Sequence, residues 1–105
     1  MGTYNKLVRD KIPDIIKSNG EKPIIKRLDD SEYIYQLNIN ILEEINEYLE
    51  SGEVEELADL EEVLRAILDY KKISYSEFEE IRKEKVKKRG AFKKRIFLEG
   101  ALNDK

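Results

Sequence analysis

Apolar residues recur at helical spacing through two long stretches of the chain. Ile34, Leu37, Ile41, Ile45 and Tyr48 fall at i, i+3 and i+4 intervals, and Leu57, Leu60, Leu64, Ile67 and Leu68 repeat the rhythm further on. The spacing predicts helices over about 31–50 and 53–72, the first capped by Asp29 or Asp30 and ended by Ser51-Gly52. A break this short makes the two helices antiparallel neighbours. A shorter helix lies within Leu7–Ser18. Pro13 is tolerated only in a first turn, so this helix starts near Asp10 to Ile12, and Asn19-Gly20 stops it. The segment 22–28 (KPIIKRL) reads as short and extended. Ser74-Tyr75-Ser76-Glu77 has the form of a capping box and opens a fourth helix to about Arg89, with Phe78, Ile81 and Val86 as a thin apolar stripe and Gly90 as its stop. The tail 91–98 (AFKKRIFL) reads as a short strand or an extended arm. The expected architecture is all-α, a bundle of four to five helices in one domain spanning 1–105.

Composition thins this picture. Apolar residues make up 40 % of the chain and charged residues 41 %, so the core is small. Long surface helices, or a core completed by a second copy of the chain, accommodate such a balance. Phe78, Ile81, Phe92 and Phe97 are the candidate interface residues, unless they close the monomer's own core. The chain has no Cys and no His. That removes disulfides, thiolate chemistry, the commonest zinc ligand and Ser-His hydrolysis. A bound metal must take oxygen ligands, which selects Mg²⁺, Mn²⁺ or Ca²⁺. No apolar run approaches the roughly 20 residues of a membrane span. The N-terminus has no signal-peptide core, so a soluble cytoplasmic protein is expected.

Charge is unevenly placed. Residues 43–62 hold ten carboxylates and no Lys or Arg, whereas residues 82–95 hold nine Lys or Arg and one Glu. Within the acidic block, Glu44 and Glu47 stand at i,i+3 on one predicted helix, and Glu56 and Asp59 do so on the next. Turning residues by about 100° each puts Glu44 roughly 60–80° and Glu47 about 120–140° from the apolar centre of their helix, and Glu56 about 60° and Asp59 about 120° from that of theirs. Both pairs flank the core in the same pattern. Two outcomes follow from this placement: a solvated acidic face, or a convergent cluster that needs a hard divalent cation to offset its own repulsion.

The opening Tyr4-Asn5-Lys6-Leu7-Val8-Arg9-Asp10-Lys11-Ile12-Pro13 resembles the "NKLVRDKIP" start of a branch of the MazG-like nucleotide pyrophosphohydrolases. These are grouped with phosphoribosyl-ATP pyrophosphohydrolase and the all-α dUTPases. Glu44-x-x-Glu47 and Glu56-x-x-Asp59 are similar to the family's ExxE…ExxD metal motif, and Lys88-Arg89-Gly90-Ala91-Phe92 through Leu98 resembles the tail of the same branch. The resemblance spans nearly the whole chain. In one respect the chain departs from it: only eight residues separate Glu47 from Glu56, a shorter spacer than is usual in the superfamily. The four ligands then meet only across a tight turn.

The resemblance implies a reaction, hydrolysis of a nucleoside triphosphate between its α and β phosphates to give a monophosphate and pyrophosphate. Removal of non-standard nucleotides is the role it suggests. It implies Mg²⁺, with Mn²⁺ as a substitute, held by Glu44, Glu47, Glu56 and Asp59. The cation would neutralise phosphate oxygens and acidify a water. Without His a carboxylate is the natural base, and Glu47 is the candidate, equally readable as a pure ligand. Arg9 and Lys11 are candidate phosphate contacts, with Lys6 a weaker one and Lys85, Lys88 and Arg89 offered from the basic stripe. Arg9 equally reads as a fastener paired with Asp10 or an acid of the second helix. Asn38 and Asn40 offer amide contacts to a base, and Tyr33, Tyr35 or Phe92 a stacking face. The family implies a homodimer or homotetramer. Two other functions fit the same residues. One is a nucleic-acid-binding module using 82–95, which the neighbouring acidic block disfavours. The other is an inactive helical interaction protein on the same scaffold.

Overall fold

A computed structural model describes residues 5–103. Tyr4, the first residue of the opening motif, lies outside them. Four α-helices account for the regular structure among the described residues: α1 (Ile12–Ser18), α2 (Asp30–Ser51), α3 (Val54–Tyr70) and α4 (Tyr75–Arg89). The chain divides into two compact units, Met1–Lys72 and Ile73–Lys105.

The first unit is built on an antiparallel pair, α2 and α3. Asp29 starts α2 with a full capping box: its side chain accepts the Glu32 N–H, and the Glu32 carboxylate accepts the Asp29 N–H. The helix ends where Gly52 turns left-handed at φ 69° and donates its N–H to the Tyr48 carbonyl at 2.7 Å. That conformation suits a residue without Cβ. Gly52 and Glu53 alone separate the two helices, so α3 doubles straight back. Tyr33 and Tyr70, at the far ends of the pair, stack at 6.1 Å in a tilted arrangement. They are symmetric about the Ser51–Gly52 bond, and their contact reports the register of the pair.

Two helices bury only a narrow seam. Leu37 and Leu68 are the buried apolar side chains among the described residues, 3 % and 8 % exposed. Ile34, Ile41, Leu60, Leu64 and Ile67 are half-buried beside them. Ile45 and Leu57, which their spacing places inward, remain exposed at the edge of the α2–α3 seam. Leu37→Ala removes one of the two best-buried side chains and is expected to cost about 2–4 kcal/mol. A fall in the urea midpoint with an unchanged slope would register it.

α1 is short, with Pro13 in its first turn as its chemistry requires. The segment 22–28 is irregular and has no strand partner among the described residues. In the second unit, the Ser74 side chain accepts the Glu77 N–H at 3.0 Å and its hydroxyl donates to the Glu77 carboxylate. The cap of α4 is real, although Glu77 meets the hydroxyl rather than the Ser74 N–H that a reciprocal box would use. Gly90, at φ 83°, ends the helix. The tail forms neither strand nor helix. A turn in which the Arg95 N–H meets the Phe92 carbonyl interrupts it, and Phe92, Ile96, Phe97 and Leu98 are all exposed. Among the described residues no helix is long and apolar enough to cross a membrane.

Candidate metal centre

The tight turn determines how the acidic residues meet. Glu47 with Glu56 and Glu44 with Asp59 are each symmetric about the Ser51–Gly52 bond, as are Tyr33 and Tyr70, so the register that stacks Tyr33 on Tyr70 also faces these pairs across the seam. Each of Glu44, Glu47, Glu56 and Asp59 offers a carboxylate oxygen, and these four atoms lie within 4.8 Å of one another. The short spacer therefore brings the two pairs together. Glu47 is exposed; the other three are half-buried.

Four carboxylates this close disfavour full ionisation. Glu44 is pushed up to about 7, first because burial strips water from it, then because the Glu47 carboxylate stands beside it, with Asp59 and Glu56 adding to the effect. Glu56 is also raised, again by lost hydration first and by Glu47 next. Glu44 Oε2 is buried and has no hydrogen-bond partner, and the same holds for Asn40 Oδ1 one helical turn earlier on α2. Both are acceptors aligned on one face without a donor. Such oxygens fit a hard cation, and six to eight oxygen ligands or a few oxygens plus water are what Ca²⁺ and Mg²⁺ require.

One ion pair reaches the cluster among the described residues. Arg9 Nη2 donates to Asp59 Oδ1 at 2.7 Å. The residue that its motif offered as a phosphate contact or as a fastener to Asp10 or α2 thus sits on an α3 acid. Asn40, offered as a base contact, instead donates Nδ2 to the Leu7 carbonyl at 3.3 Å. This tie between the N-terminal arm and α2 was not foreseen. Its signal was a polar residue on the inward face of α2, between Leu37 and Ile41. Lys11 is exposed at the start of α1. Lys85, Lys88 and Arg89 belong to the second unit. They share an open face of α4 with Glu80, Ile81 and Glu84, and Lys88 lies 3.7 Å from the Glu84 carboxylate. Asn38 and Tyr35 are exposed, Tyr33 is half-buried against Tyr70, and Phe92 is 98 % exposed.

Comparison with known proteins adds little. No family model matches the chain, and no solved structure does. An uncharacterised protein of Mycolicibacterium smegmatis is 43 % identical over 42 residues, which cover 40 % of this chain and 43 % of that protein. The match thus spans less than half of either chain, and the name of that protein carries no activity.

Proposed function

We propose that this chain is a Mg²⁺-dependent nucleotide pyrophosphohydrolase of the MazG-like type, cleaving a nucleoside triphosphate between its α and β phosphates. The observation that carries the reading is the convergence of Glu44, Glu47, Glu56 and Asp59, with a buried Glu44 oxygen that lacks a protein donor. A solvated acidic face has no reason to hold four oxygens within 4.8 Å. The donor set is all oxygen, which suits Mg²⁺ or Mn²⁺ and not zinc.

Glu44, Glu47, Glu56 and Asp59 would hold the cation. When bound, it neutralises phosphate oxygens and makes water more acidic. The chain's own residues supply the rest. Glu47 is the exposed member of the four and can accept a proton from an attacking water. Glu44 and Glu56, both half-buried, would serve as ligands. Arg9 and Lys11 offer charge to the phosphates from the N-terminal arm. A thin seam and widely exposed apolar side chains support assembly into a dimer or tetramer. A cytoplasmic setting, where triphosphates and Mg²⁺ occur together, completes the reading.

Pyrophosphate release from a panel of nucleoside triphosphates tests it. Release that requires Mg²⁺ or Mn²⁺ and prefers a subset of bases is the expected result. No release from any nucleotide, together with a melting temperature indifferent to either cation, would leave a helical interaction protein as the better account.

A further inference from the structure

We infer that Arg9 is a resident counter-cation of the acidic cluster, and that it exchanges Asp59 for a phosphate oxygen when a divalent cation arrives. The inference rests on the four carboxylates being a cation site. It adds that cation and phosphoanion bind to this chain as coupled ligands, with Arg9 as the coupling residue.

The N-terminal arm is fastened at two points. The Leu7 carbonyl accepts Asn40 Nδ2 on α2, and two residues later the Arg9 guanidinium reaches Asp59 on α3. Leu7 to Arg9 therefore bridges both helices that carry the cluster. Asn40 lies one turn before Glu44, and Asp59 is itself one of the four. The anchor at Leu7 holds Arg9 close to the carboxylates whether or not its own ion pair is made.

Charge makes that pair conditional. Without a cation, four carboxylates repel, and Arg9 relieves part of that repulsion at 2.7 Å. A divalent cation among the same oxygens competes for Asp59 and repels the guanidinium. Arg9 is 58 % exposed, so it can turn away without unpacking anything. A guanidinium has five N–H donors in a planar fork, and the contact to Asp59 Oδ1 employs Nη2. Once displaced but still tethered through Leu7, it stands beside the cation with its fork open to an anion. The ligand class that satisfies both is a phosphoanion that travels with a divalent cation, such as pyrophosphate or a nucleoside polyphosphate. Because coupling is reciprocal, each partner then raises the affinity of the other.

The experiment uses the full chain and two probes. Mn²⁺ alone is titrated by calorimetry, and inorganic pyrophosphate is titrated at saturating Mg²⁺, for wild type, Arg9→Gln and Arg9→Lys. Removing the competing charge is expected to tighten Mn²⁺ binding about threefold in Arg9→Gln. The same variant should bind pyrophosphate about tenfold more weakly. Arg9→Lys keeps the charge but loses the fork, so Mn²⁺ affinity should stay within about twofold of wild type while pyrophosphate weakens. A residue that only fastens the arm would not shift the two affinities in opposite directions. Mn²⁺ binding by wild type with unchanged or weaker Mn²⁺ binding by Arg9→Gln, or unchanged pyrophosphate binding, overturns the exchange and leaves the metal site standing. No Mn²⁺ binding by any of the three overturns both. Should Arg9→Gln not fold, Arg9→Lys decides: pyrophosphate affinity equal to wild type sinks the coupling role.

Discussion

Glu56→Gln is expected to lower pyrophosphate release by about a hundredfold or more while leaving the metal-free chain at least as stable as wild type. The two effects have one cause. Loss of residues that merely orient metal ligands typically costs about 10–100-fold in metal affinity or activity, so loss of a ligand itself should cost no less. In the metal-free chain, however, the Glu56 carboxylate is a liability. Lost hydration and the nearby Glu47 carboxylate both raise its pKa, which means that its ionised form is disfavoured where it stands. A neutral amide of the same shape relieves that repulsion. Glu56 is the better choice for this test than Asp59, because Asp59→Asn also disturbs the Arg9 pair. Parallel assays of release and of thermal unfolding in chelator check the prediction. A variant that keeps its activity, or that unfolds well below wild type, would show Glu56 to be an ordinary structural acid.

The metal-free chain should lose stability as pH rises from about 4.5 to about 7. Glu44 carries the effect: its pKa is raised from 4.5 to about 7, chiefly by burial and then by Glu47. A raised pKa means that the folded chain binds the proton more tightly than the unfolded chain does. Stability supplied in this way is fully present below the unfolded value and is lost as pH passes through the folded one. Glu56 is shifted in the same direction and adds to the slope. Asp29 and Glu79 work oppositely. The Glu32 N–H lowers the first and Arg82 lowers the second, so they contribute stability above their ordinary values that falls away in acid. The metal-free optimum should therefore lie on the mildly acidic side, near the unfolded carboxylate range. Under the proposed function Mg²⁺ would bind the deprotonated cluster, so its stabilising effect should grow across the same window. Melting curves in chelator and in Mg²⁺ at several pH values test both slopes. Glu44→Gln should flatten the metal-free one, and an unflattened slope would assign the pH dependence to other groups.

Much of the helical scaffold was legible because its signals are local. The i, i+3, i+4 rhythm, the Asp29 cap and the Ser51-Gly52 break each bear on a few neighbouring residues, and each sets a helix boundary within a residue or two. The four carboxylates were legible for a related reason, since helical periodicity placed both pairs on a core flank and the short break set them face to face. What was not legible depends on tertiary contact. The width of the seam is one case: Ile45 and Leu57 keep the right spacing yet stay exposed, because spacing does not count how many helices will cover a face. The N-terminal arm is another. Neither Leu7 nor Arg9 announces a partner 33 or 50 residues away, and those partners were fixed by an irregular segment whose path no periodicity encodes. The segments 22–28 and 91–98 have β-branched or aromatic residues, but no strand forms among the described residues for them to pair with, so they stay irregular.

The proposed function stands on Glu44, Glu47, Glu56 and Asp59 forming one divalent-cation site. The most direct test is the melting temperature of wild type and Glu44→Gln near pH 7.5, each in chelator and in excess Mg²⁺. Mg²⁺ is expected to raise the melting temperature clearly in wild type and little or not at all in Glu44→Gln. A wild-type melting temperature that ignores Mg²⁺, or an equal rise in both proteins, would contradict it.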